Sequence, residues 1–129
     1  MGTERTHRDL VAWQAAMDLA EIVYQQTSTF PKEETFGLTI QVRRAAVSVP
    51  SNIAEGAARN SSREFFQYLG VAAGSLAELE TQVELAIRLK YLPKNAEALI
   101  HARRVGRLVN ALRRSLGAPT RQSHSGVTS

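Results

Sequence analysis

The sequence predicts an all-α fold, an up-down-up-down antiparallel four-helix bundle. Apolar residues recur three and four apart in four separate stretches, no segment alternates with period two, and the connections are short enough to make consecutive helices antiparallel neighbours. The 129 residues, 43% of them apolar, suit one domain. Its expected parts are a flexible N-terminus over 1–6, the bundle over 7–116 and a polar, disordered tail over 117–129.

Leu10, Trp13, Met17, Ala20, Tyr24 and Thr27 fall on one stripe and predict a first helix over roughly 7–29. Pro31 interrupts it, because it pushes Phe30 out of helical geometry, and Glu33 and Glu34 suit the start of a second helix. That helix carries Leu38, Val42, Ala46, Val49, Ile53 and Ala57. Ser61 and Glu64 have the spacing of a capping box, and the third helix follows with Leu69, Ala72, Leu76, Leu79, Val83 and Ala86. Pro93 separates it from the fourth, whose stripe is Ala98, Ala102, Val105, Val109, Leu112 and Leu116, with Gly117 as its expected end.

The run "SVPSNIAEG", residues 48–56, sets polar residues and a proline inside the second helix. Pro50 removes a backbone donor and should bend the helix or force local rebuilding, at about 3 kcal/mol. Gln41, Arg44, Ser48, Asn52, Glu55 and Arg59 also alternate three and four apart, about 100° from the apolar stripe, so they flank the core. A covered amide or carboxylate there needs partners, for which Arg59 and Arg44 are the candidates. The third helix offers Gly70, Ala73, Gly74 and Ser75, small enough for close docking, with Gly56 helping the approach. This set reads as a bundle or subunit contact that fixes register, and alternatively as a ligand or nucleic-acid contact.

Chemistry finds little to work with. There is no cysteine, which excludes disulfides, thiolate metal sites and cysteine nucleophiles. His7 and His124 lie near the ends, and Glu97 and His101 stand four apart where a bundle di-iron site needs two Glu-x-x-His motifs and two more glutamates. No glycine-rich phosphate loop or serine elbow occurs, so no enzyme, cofactor or metal is expected. The charged N-terminus and the absence of a long apolar run predict a cytoplasmic protein without a membrane partner.

Charge is divided along the chain. Residues 1–87 carry seven bases and eleven acids, net −4, and residues 88–129 carry nine bases and one acid, net +8.

The stretches "RDLVAWQAAMDLA", "FPKEETFGLTIQVRRAAVSVPSNIAEG", "REFFQYLGVAAGSLAELETQVELA" and "VGRLVNALRRSL" resemble the four-helix bundle family named for open reading frames in intervening sequences of bacterial 23S ribosomal RNA genes. The resemblance covers roughly residues 7–116 and implies a homo-oligomer, a ring of five subunits, with no established enzymatic activity. A more distant similarity, to the accessory protein of diversity-generating retroelements, implies association with nucleic acid or a nucleic-acid-processing protein.

The fourth helix supplies the candidate site for that association. Arg103, Arg107, Asn110 and Arg114 lie within about 60° of one another, nearly opposite the Val105, Val109, Leu112 stripe, with Arg104 and Arg113 flanking. The face reads either as solvated charge pairing with Glu78, Glu80 and Glu84 of the third helix, or as a phosphate-binding surface. The aromatic residues Trp13, Phe65, Phe66 and Tyr68 occupy core-compatible positions, so no base stacking is expected. Without nucleic acid, the chain reads as a pure protein-interaction scaffold.

Overall fold

A computed structural model describes residues 5–128, and the side chains of residues 5–117. Residues 1–4, most of the expected flexible N-terminus, and Ser129 lie outside it. Four helices make the fold: α1 Val11–Thr27, α2 Leu38–Ala57, α3 Ser62–Arg88 and α4 Glu97–Thr128.

Contacts between side chains fix the directions. Arg43 near the start of α2 bonds Thr27 at the end of α1, Ser48 and Glu55 meet Ser75 and Tyr68 of α3, and Arg113 lies on Phe66. Gln26, late in α1, accepts from the backbone N–H of Ala98 at the start of α4 (2.9 Å) and caps it. Each helix therefore runs antiparallel to the next, in the order α1, α2, α3, α4 around the bundle, and each packs on its two neighbours.

α1 is shorter than its periodicity predicts. Thr6 and Asp9 form a capping box around a separate 3-10 turn, His7–Asp9, and Leu10 adopts an extended conformation between that turn and the helix. At the other end, Pro31 precedes a second 3-10 turn, Lys32–Glu34, before α2 begins. Ser61 caps α3 as expected, its hydroxyl accepting from the Glu64 N–H at 3.1 Å.

The predicted stripes of α2 and α3 are buried throughout, except half-buried Ala57, and in α4 Ala98, Ala102, Val105 and Val109 are buried. α1 departs from its expected stripe. Its buried residues are Ala12, Ala15, Ala16, Leu19, Val23 and Thr27, whereas Met17 and Tyr24 are 46% and 45% exposed. The bundle buries the alanine-rich side of α1 because small side chains allow close helix approach, and turns the bulkier stripe outward.

Gly117 does not end α4, which continues to Thr128. It is buried against α3: a Cβ there would lie 2.6 Å from Phe66 Cε1. Its small size serves helix packing, and it has no positive φ to stop the helix.

α2 passes through Pro50, which is buried, without interruption. The carbonyl of Ala46 loses its usual donor, but the next two residues add side-chain bonds to the same turn. Ser51 Oγ donates to the Val47 carbonyl (2.8 Å) and Asn52 Nδ2 to the Ser48 carbonyl (2.8 Å). The polar residues around the proline thus supply hydrogen bonds where the backbone supplies fewer.

Candidate nucleic-acid interface

The outer side of α4 is built by its period. Burying Ala98, Ala102, Val105 and Val109 turns Arg103, Arg107, Asn110 and Arg114 to the opposite side, and all four are exposed, as is Arg104. Among the described residues, none of these arginines has an acidic partner within 4.0 Å; the two ion pairs there are Arg59 with Glu55 and His101 with Glu97. Glu80 and Glu84 instead line a cavity of about 270 Å³ between α3 and α4, with Ala73, Ala77, Gly106 and Asn110 on its walls.

Arg113, grouped with the arginine face by sequence, belongs elsewhere. Its guanidinium lies 4.7 Å over the Phe66 ring, close beside Gly70, and its Nε is buried. A cation over an aromatic face gains about 0.5–2 kcal/mol, which holds this side chain down on α3. Gly70 leaves room for it.

The polar stripe of α2 does meet α3; Glu55 pairs with Arg59 as expected, whereas Asn52 has a different partner. Ser48 and Ser75 share a hydroxyl hydrogen bond of 2.8 Å, and Asn52 Nδ2 reaches Ser48 Oγ at 3.0 Å. Asn52 is therefore satisfied by its own helix and by neither arginine. Glu55 is exposed; it pairs with Arg59 at 3.2 Å, and Tyr68 donates to it at 3.5 Å. Arg59 donates to the Tyr68 oxygen at 2.7 Å, and the attraction of that oxygen raises its pKa above the ordinary arginine value. Gly56 makes the close approach: a Cβ there would stand 2.7 Å from Tyr68 Cβ. Gly74 faces open space, with nothing within 4 Å of its would-be Cβ, so it takes no part in that approach. Arg44 is exposed.

Three side chains outside the predicted set organise the motif's surroundings. Glu34 Oε1 accepts from the Leu38 N–H at 3.0 Å, capping α2, while its Oε2 accepts from the Tyr91 hydroxyl at 3.0 Å. A Cβ on Gly37 would strike that carboxylate at 2.9 Å. Arg43 Nε donates to Thr27 Oγ1 at 2.8 Å with its guanidinium over Tyr24, and Gln26 caps α4. Only the position of Glu34 near a helix start was visible in sequence; the partners are distant along the chain.

Much of the Pro-x-Glu-Glu to Ala-Glu-Gly stretch is thereby accounted for as bundle architecture. The sequence pattern of the 23S rRNA-intervening sequence protein family matches residues 8–111, most of the chain. The chain belongs to that family. No curated protein sequence matches it. Among solved structures, this 23S rRNA-intervening sequence protein family member is similar to a protein with unknown function from the S23 ribosomal protein family of Bacteroides thetaiotaomicron. The TM-score is 0.73 at 21% identity, over 81% of this chain and 96% of that one. At that identity the likeness establishes the four-helix fold. Among the described residues, no helix is long and apolar enough to cross a membrane.

Proposed function

We propose that this protein is a non-enzymatic, cytoplasmic homo-oligomer, of five subunits by family resemblance, that associates with RNA or DNA through the phosphate backbone. The observation that carries this reading is the exposed set Arg103, Arg104, Arg107 and Arg114, without an acidic partner among the described residues. Arginine forks match phosphate oxygens, and repetition around an assembly multiplies weak contacts. Arg113 is left out because it is stacked on Phe66. Binding of this kind ignores base sequence and is driven by counterion release.

The test is titration of RNA and DNA oligonucleotides across a salt series. The log of the affinity should fall linearly with log salt, by about 0.7–0.9 per phosphate contact, and Arg107→Gln with Arg114→Gln should flatten the slope by about 1.4–1.8. Absence of binding at about 50 mM salt, or an unchanged slope in the double variant, refutes the reading and leaves a protein-interaction scaffold.

A further inference from the structure

The side of α1 that the bundle leaves uncovered forms one wall of a groove. Three adjoining cavities, of about 430, 460 and 330 Å³, run along the α1–α2 face and share Tyr24, Met17, Ala20 and Val47. Trp13 and Pro50 line its far end. Met17, Tyr24 and Val47 are each more than 40% exposed, so this is apolar surface that the described residues leave open. Arg44 stands at its α2 rim, and Asp18 and Glu21 at its α1 rim.

A complementary ridge lies on α3. Val71, Gly74, Glu78, Thr81, Leu85 and Leu89 are all exposed and share its outward side. Val71, Leu85 and Leu89 are 53%, 46% and 45% exposed, and Gly74 has nothing within 4 Å of its would-be Cβ. The ridge is therefore apolar at its ends, slim in the middle and acidic at one point.

Register decides how the two would meet. Ser48 is level with Ser75 and Glu55 with Tyr68, seven residues on in one helix and seven back in the other. The same register sets Glu78 level with Arg44, Gly74 level with the Val47–Pro50 turn, and Leu85 near the level of Leu38 and Ile40. Rotation about an axis parallel to the helices preserves these levels. With the helices at the corners of a square, the groove mouth and the ridge point about 95–125° apart, and contacts at such an angle close into a ring of about four to six copies.

We infer that the α1–α2 groove receives the outward ridge of α3 from a second copy of this chain, head to tail, with Glu78 of one copy against Arg44 of the next. This rests on the oligomer reading above and assigns its surfaces. Gly74 lets the ridge settle over Val47 and Pro50, while Val71 and Leu85 cover the groove's apolar ends. The rotation also brings the arginine-rich α4 of the neighbour toward Asp18 and Glu21, so both rims meet opposite charge. The polar α2–α3 seam then lines the ring axis, and Arg107 and Arg114 face outward.

The experiment is sedimentation velocity of the full chain over a concentration series, with far-UV circular dichroism as the check on folding. The wild type should sediment as four to six copies. Val47→Glu and Glu78→Arg, both at exposed positions, should each weaken assembly at least tenfold while the helices melt as before. Arg44→Glu combined with Glu78→Arg should restore much of the loss. An assembled wild type whose mass survives both single changes overturns the assigned surfaces and leaves the oligomer reading standing. A monomeric wild type overturns the oligomer reading, and the salt-dependent binding tests the arginine face separately.

Discussion

Replacing Gly56 with alanine should destabilise the protein although alanine is the better helix former. In an open helical position the change gains about 0.5–1 kcal/mol. At Gly56 the added methyl would lie 2.7 Å from Tyr68 Cβ and 2.9 Å from Phe65 Cδ1. Tyr68 Cβ is fixed to its backbone, so relief requires α2 and α3 to separate by about 0.7 Å, toward ordinary contact distance. That separation also strains the Ser48–Ser75 bond on the same seam. Overpacking of this kind costs about 1–3 kcal/mol, and subtracting the helix gain leaves a net loss of up to about 2.5 kcal/mol, about 1 kcal/mol at mid-range. Thermal melting at one fixed protein concentration should show it as a drop of roughly 3–10 °C. Gly106→Ala is the control, because nothing lies within 4 Å of its would-be Cβ, and it should melt slightly higher than wild type. A Gly56→Ala variant that melts at or above wild type would refute the close-approach argument.

The Tyr91 hydroxyl donates to Glu34, which raises its pKa above the ordinary tyrosine value. Its stabilising effect is full below the unfolded tyrosine value and lost as pH rises through the higher folded value, so Tyr91→Phe should remove a tyrosinate absorbance that develops above the ordinary tyrosine range and lower the melting temperature at neutral pH only modestly. On α2, Asn52→Leu should cost about 0.5–1.5 kcal/mol through its lost bonds to Ser48, whereas exposed Glu55→Leu should change stability by under about 0.5 kcal/mol in urea melts; equal effects would contradict the hydrogen bonding described.

Helices with one apolar stripe were legible in the sequence, and the helix with two was not. In α2 and α3 the residues of the three-and-four series are the ones buried, so periodicity and burial coincide, and Val47, Val71 and Leu85 stay outside that series on exposed sides. α1 carries Ala12, Ala15, Ala16, Leu19 and Val23 beside Trp13, Met17, Ala20 and Tyr24, and residue size pointed to the second set. Close packing selected the first, and the rejected stripe became the groove wall. Similarly, the polar stripe of α2 was readable as an edge from its angle, but the partner of Asn52 was not, since Ser48 on its own helix competed successfully with both arginines. Arg113 sits at the flank of the arginine set by helical angle alone; Phe66, distant in sequence, draws it away.

The cross-links between helices are unevenly distributed along the bundle. Gln26, Glu34 and Arg43 all act where α1 and α3 end and α2 and α4 begin, joining residues up to 72 positions apart. At the opposite end, the capping bonds of Thr6 and Ser61 are local, the Arg59, Glu55 and Tyr68 cluster is solvated, and the long-range link from α4 to α3 is the stacking of Arg113 on Phe66, without a hydrogen bond among the described residues. Transient opening should therefore start at the α2–α3 turn and die out toward the tied end. Hydrogen exchange read along the chain should then show backbone protection rising through α1, falling through α2, rising through α3 and falling from the start of α4, a zigzag imposed by antiparallel topology on a single gradient in space.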